Sequence, residues 1–137
     1  MPTAPAPYDQ TVSPFGVKIP FADTLGIRIV EAVKERVICA IDLKPEFANS
    51  MGKLHGGAMM TGLDVAMSCA VRAHYGSSGG VITIDMSVNF IRPSTGTITI
   101  EARVLNGGKS MAFCEAEAKD DEGKLLAKSI GTFRLMA

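Results

Sequence analysis

The run from about Gly56 to Tyr75 constrains this chain more than any other stretch. Ala58, Met59, Met60, Leu63, Val65, Ala66, Met67, Cys69, Ala70 and Val71 fall on every side of a helix with 3.6 residues per turn, so no wide polar face remains. Such a helix must be wrapped by protein on most sides. Between Leu54 and Arg72 the only side chain with a formal charge at neutral pH is Asp64. An ionised carboxylate without partners is costly there, so Asp64 is expected to be paired, protonated or placed where solvent reaches it. The bland alternative is a structural aspartate bonded to neighbouring backbone. A lone acid on a buried helix nevertheless points to function more strongly than a surface acid does.

Gly56 and Gly57 open this helix. Without Cβ atoms they let a ligand approach backbone N–H groups that have no intrahelical acceptor and sit at the positive end of the helix dipole. That arrangement suits an oxyanion hole, although a Gly-Gly pair also serves a tight entry turn. His55 and Asp64 are nine positions apart, about 13 Å along a helix axis and about half a turn around it. They cannot form a dyad within one helix. If both serve one site, Asp64 of one chain meets the helix start of another, which predicts a symmetric dimer with two shared sites.

The rest of the chain supplies the wrapping. Residues 27–33 and 36–43 read as a β-hairpin around Lys34-Glu35, after a short helical turn over residues 19–25. Pro45 begins the loop that carries Asn49. Beyond the Gly- and Ser-rich turn at 76–80, four strands are expected over residues 81–91, 97–105, 110–118 and 125–135, their short connections favouring antiparallel neighbours. Period-two parity puts Ile82, Ile84, Met86, Val88 and Phe90 on the face toward the helix and Thr83, Asp85, Ser87 and Asn89 on the other. A bulge would change that parity for Thr83. The next strand repeats the pattern, with Ile98, Ile100, Ala102 and Val104 facing inward.

At 137 residues the chain is long enough for one core, with residues 1–16 an irregular Pro-rich arm and residues 17–137 a single domain. Fourteen basic residues balance fourteen acidic ones without a basic run, which argues against nucleic-acid binding. Cys39, Cys69 and Cys114 lack metal-ligand or CxxC spacing and read as buried free thiols, consistent with a cytoplasmic location. There is no signal-peptide pattern, and a helix carrying Asp64 and ending in Arg72 and His74 is a poor membrane span.

Asn49, Gly52, His55-Gly56-Gly57 and Asp64, followed by Gly80-Val81-Ile82-Thr83-Ile84-Asp85-Met86, resemble the hotdog-fold acyl-CoA thioesterases of the phenylacetate-degradation and 4-hydroxybenzoyl-CoA type, over roughly residues 20–136. The resemblance implies an α+β hotdog fold, a long central helix wrapped by a curved antiparallel sheet. It also implies hydrolysis of acyl-CoA to free acid and CoA with no metal or redox cofactor. Asp64 would be general base or nucleophile, and Gly56, with Gly57 as a further donor, would hold the carbonyl oxygen. Asn49 would position water or substrate, His55 would orient the site or contact the thioester, and Thr83 would help hold the attacking water. Coenzyme A carries phosphates, for which Arg92, Lys109 and Ser110 are the candidates. The expected partners are an acyl-CoA substrate and a second copy of the chain, with dimer and dimer of dimers both open. A hotdog dehydratase or hydratase and a non-catalytic acyl-CoA sensor are the alternatives. The Asn49 to Asp64 pattern fits the first less well, and a sensor has no need of Asp64.

Overall fold

Helix α2, Gly56–Tyr75, is the axis on which the molecule is built. The structure is a computed structural model that describes residues 17–136, so the arm expected over residues 1–16 lies outside the described residues. The helix starts at His55, whose backbone is extended, and stops at Gly76, which adopts φ 62° and returns its N–H to the Arg72 carbonyl. A residue with a Cβ would be strained in that left-handed conformation, so the glycine ends the helix.

Around α2 curls one six-stranded antiparallel sheet in the order β1-β2-β4-β5-β6-β3. The strands are β1 Arg28–Val33, β2 Arg36–Asp42, β3 Val81–Phe90, β4 Thr97–Gly107, β5 Met111–Lys119 and β6 Leu125–Leu135, and a short helix α1, Pro20–Thr24, precedes them. These elements match those expected from the sequence to within a residue or two at most ends, and the architecture is the hotdog fold.

The helix approaches the sheet closely because the strands beneath it carry small side chains. Ala112, Cys114, Ala116 and Ala118 form the fully buried inner face of β5, and Ala102 continues it on β4. A Cβ on Gly62 would lie 2.7 Å from the Cδ1 of Ile100, so α2 touches β4 at a glycine. Leu63, Met67 and Val71 fill the remaining space against Ile98, Ile100 and Phe133, all with essentially no exposure.

Two features depart from the sequence reading. Short connections place β1 beside β2 and β4 beside β5 beside β6, but β3 does not neighbour β4; it lies on the far edge, beside β6. The link between them, residues 91–96, passes the start of α2 instead. Its backbone is pinned there, Leu126 O accepting from the N–H groups of Ile91 and Arg92, Ser94 O from Leu54 N–H and Gly96 O from Leu43 N–H. Six extended residues span up to about 20 Å, enough to cross the end of one helix inside a curled sheet.

The second departure is in β3. Thr83 pairs with Phe133 and Asp85 with Thr132, which leaves Ile84 as an extra, bulged residue. Directly opposed residues share a face, and Phe133 is buried, so Thr83 faces inward with Met86 and Val88. Ile82 and Ile84 therefore do not pack on the helix as strict parity predicts. They are 47% and 53% exposed.

All three cysteines are buried and none forms a disulfide. Burial raises the Cys39 thiol well above its ordinary value and pushes Cys114 up to about 12, so neither presents a thiolate nucleophile at neutral pH.

On the outer face, Glu115 accepts hydrogen bonds from Lys128 at 3.0 Å and Arg103 at 2.5 Å. These hold its carboxyl below the usual carboxylate range, the Lys128 bond contributing most. A carboxyl with a lowered folded-state value adds stability that is complete above its unfolded value and is lost as pH falls through the folded one. Glu115→Gln is accordingly expected to flatten the decline of melting temperature below about pH 4.5, as followed by thermal denaturation across an acid series.

Candidate active site

The loop before α2 is organised by Asn49. Its Oδ1 accepts from Met51 N–H at 2.9 Å and from Lys53 N–H at 3.1 Å, while its own N–H donates to Lys53 O at 2.7 Å. Two N–H donors on one atom require that atom to be the amide oxygen, which fixes the side-chain orientation. The Nδ2 group keeps both of its hydrogens free among the described residues, on a residue that lines the cleft in front of α2. Gly52, at φ 74°, allows the turn to close.

His55 is the N-cap. Its Nδ1 accepts from Gly57 N–H at 2.8 Å, so the neutral ring carries its hydrogen on Nε2. The two glycines thereby take different parts. The Gly57 N–H is committed to His55, and a Cβ at Gly57 would lie 3.1 Å from Nδ1 and 3.3 Å from Cε1 of that ring. Gly57 is thus a glycine so that the histidine can fold back over it, rather than a donor to a ligand as the resemblance implies. The Gly56 N–H has no acceptor among the described residues, and a Cβ there would meet only the Phe90 ring, at 3.6 Å. Gly56 is the forward-facing donor of the helix start.

Loss of the cap has a measurable cost. His55→Ala is expected to lower stability by about 0.5–2 kcal/mol in denaturant unfolding. His55→Asn, which keeps a capping acceptor, is expected to recover most of it.

In front of Gly56 opens a cleft of about 310 Å³, whose lining includes Asn49, Met51, Phe90 and Ile91. Arg92 also lines it, and Arg92 Nη1 donates to Leu125 O at 2.7 Å, so one end of the guanidinium is already engaged. Parity predicts Phe90 in the core. It has the inward parity of Val88, but it overhangs the end of the helix and is 55% exposed. Phe90 is a cleft residue that the sequence does not disclose; an aromatic at the last position of a strand, just before Arg92-Pro93, is the available signal.

Asp64 lies elsewhere. Eight positions into α2 from Gly56, it is about 12 Å further along the axis. Its Oδ1 accepts from the Thr83 hydroxyl at 2.6 Å, in a separate open depression formed with Met60, Thr61 and Met86. The β3 bulge is what turns Thr83 toward the helix and makes this bond. No Lys, Arg or His among the described residues forms an ion pair with Asp64. Its second oxygen has no hydrogen-bond partner among the described residues.

Lys109 and Ser110 occupy the β4–β5 turn at the opposite end of α2. Tyr75 anchors that turn, its hydroxyl donating to Gly108 O at 2.7 Å, and Ser110 O accepts from Leu135 N–H at 2.7 Å. Within one chain the structure therefore brings together Asn49, His55, Gly56 and Arg92, and separately Asp64 and Thr83. Among the described residues no cluster of His, Cys, Asp or Glu could hold a metal ion, and no helix is long and apolar enough to cross a membrane.

Comparison with known proteins bears on this arrangement. The profile of the family described as the thioesterase superfamily matches residues 51–127. Human acyl-coenzyme A thioesterase 13 is 33% identical over 123 residues, covering 84% of this chain and 84% of that protein. Among solved structures, the conserved protein PA5202 from Pseudomonas aeruginosa superposes with a TM-score of 0.81 at 27% identity, over 93% of this chain and 97% of that one. The PaaI protein of the phenylacetic acid degradation operon of E. coli superposes with a TM-score of 0.80 at 21% identity, over 87% and 86% of the two chains, and shares the fold. The matched segment contains the Gly56 start and Asp64 of the wrapped helix and Thr83 of β3 in the hotdog sheet, and this chain belongs to the thioesterase superfamily of thioester hydrolases.

Proposed function

We propose that this protein hydrolyses acyl-CoA thioesters to the free acid and CoA, at sites that each combine the Gly56 cleft of one copy with Asp64 and Thr83 of a second. The observation that carries the reading is the division of the machinery: an unpartnered N–H at a helix start, and a carboxylate with one free oxygen about 12 Å away on the same helix. One chain cannot bring the two onto one carbonyl.

The edge of the sheet supports the second copy. Among the described residues β3 pairs on one side only, with β6, and it exposes Ile82 and Ile84 along ten residues of strand. A long apolar edge strand invites pairing with another strand. Antiparallel pairing of two β3 strands about a two-fold axis would set the Thr83-held Asp64 of each copy beside the other copy.

In this site the thioester oxygen would lie on the Gly56 N–H, where the helix dipole favours the negative charge that develops on it. Asn49 would offer its Nδ2 hydrogens to the carbonyl or to the attacking water. Asp64, its Oδ1 held by Thr83, would use the free Oδ2. As a base it takes a proton from water while the water oxygen bonds to the carbonyl carbon; the tetrahedral oxyanion then collapses, the C–S bond breaks, and the CoA sulfur receives the proton that Asp64 held. As a nucleophile it forms an anhydride with loss of CoA thiolate, which water then hydrolyses. Either route needs no metal or redox cofactor. His55 keeps the first helical turn rigid, and its commitment to Gly57 leaves Gly56 as the donor.

Arg92 is exposed, and its donors beyond the bond to Leu125 O would meet a CoA phosphate that passes outside the cleft. Lys109 and Ser110, at the other end of α2, would serve only a CoA bound at the second copy's cleft.

The test is release of CoA thiol from a panel of aliphatic and aryl acyl-CoAs. Release is expected with the native protein. Acyl-CoA that stays intact while raising the melting temperature would instead make the protein an acyl-CoA sensor.

A further inference from the structure

We infer that the cleft in front of Gly56 takes the acyl arm of the thioester, an uncharged apolar group of roughly ten heavy atoms, and that Phe90 and Met51 set the selection among acyl groups. The inference rests on the acyl-CoA reading above and assigns the two arms of that substrate.

Its walls carry the argument. Phe90 stands within van der Waals reach of the Gly56 position, so its ring would touch the first carbons beyond a carbonyl bound to that N–H. Met51 lies at the tip of the Asn49 loop, 72% exposed, and Ile91 follows Phe90 at the rim; all three are large apolar side chains left open to water around one cleft. Exposed apolar groups gathered about a concavity mark a site for an apolar ligand. Leu54, Met59 and Leu126 continue the apolar lining inward. The one charged side chain, Arg92, is tethered to Leu125 O, and no carboxylate lines the cleft. A pantetheine arm carries two amides that need polar partners, whereas an acyl chain needs none. At about 30 Å³ for a water-sized group, a 310 Å³ cleft admits roughly ten. That suits a medium straight chain or a single aryl ring.

Met51 adapts without rearrangement of the fold. The loop beneath it is fixed by the Asn49 hydrogen bonds, while its own unbranched side chain is free to follow the ligand.

The experiment measures kcat/KM of the full chain for acetyl-, butyryl-, octanoyl- and palmitoyl-CoA. The native protein is expected to favour octanoyl-CoA over both acetyl- and palmitoyl-CoA. In Phe90→Ala the octanoyl-to-acetyl ratio is expected to fall at least about tenfold, with Met51→Ser moving it in the same direction. Met51 is a largely exposed loop residue, so its replacement does not threaten folding and keeps the test valid if Phe90→Ala unfolds. A uniform loss for every chain length in both variants would assign the cleft to the CoA arm and overturn the inference, as would a native protein indifferent to chain length. Failure of the native protein to cleave any acyl-CoA removes the underlying reading and this inference with it; cleavage with an unmoved ratio removes the inference alone.

Discussion

Asp64→Ala is expected to lower kcat by at least about a hundredfold, the low end for loss of a general base, with little change in stability. The second half follows from the surroundings of the side chain. Asp64 pairs with no cation among the described residues, so its removal strands no buried charge. It frees only the Thr83 hydroxyl, which lies at a solvent-exposed position, and the hydrogen bond lost is worth about 0.5–1.5 kcal/mol. Asp64→Asn separates chemistry from geometry, since an amide oxygen can still accept from Thr83 but cannot take a proton. Both variants are expected to lose activity to a similar degree. The measurements are CoA thiol release, thermal melting and size-exclusion chromatography on the same samples. An Asp64→Ala protein that unfolds or dissociates would make this aspartate a structural residue.

Gly56→Pro is expected to cost roughly 10²–10³ in kcat, the range for removal of one oxyanion-hole donor. The substitution is unusually clean here. Proline is favoured at the first position of a helix, where the missing N–H has no helical acceptor. The residue before a proline must be extended, and His55 already is, at φ −61° and ψ 138°. At the position of an added Cβ the nearest atom, on the Phe90 ring, is at an ordinary contact distance. The variant therefore replaces the N–H hydrogen with the Cδ of the proline ring, so the donor is lost and its place filled, while α2 keeps its start, which circular dichroism would verify. Unchanged turnover in a folded Gly56→Pro protein would eliminate the helix start as the oxyanion site.

Together the two variants test whether the site is shared. A dimer of one Asp64→Ala chain and one Gly56→Pro chain has both lesions in one site and neither in the other. An equal mixture that exchanges subunits freely should therefore recover about one quarter of native activity from two nearly inactive parents. Proven exchange without recovery would place both groups within one chain.

Much of this molecule is legible in its residues alone. Hydrophobic residues on every side of a helix from Gly56 to Tyr75 require protein wrapped around it, because exposed they would leave too much apolar surface in water. The inward alternation of Ile98, Ile100 and Ala102 on β4 is what the structure shows. Asp64 is conspicuous for a local reason, as the lone formal charge in that apolar stretch, and the spacing of His55 and Asp64 rules out a dyad from helical geometry alone. These are properties of neighbouring residues, and periodicity reports on neighbours.

What depends on distant contacts is not legible in the same way. One extra residue at Ile84 reverses the parity of β3, turning Thr83 onto Asp64 and exposing Ile82, because a bulge is defined by the partner strand and leaves no mark of its own in the sequence. The placement of β3 beside β6 rather than β4 depends on a link held by Leu43, Leu54 and Leu126, residues far apart in the chain. The same crossing sets Phe90 over Gly56 and makes a cleft from what reads as core. Gly56 and Gly57 look equivalent as letters; in the fold the His55 ring claims one N–H and leaves the other. The sequence by itself determined a helix that must be enclosed and the lone charge upon it. Only the tertiary structure decided which polar groups are left unpaired around that helix, because a hydrogen-bond donor is free or satisfied according to what the rest of the chain brings within about 3 Å.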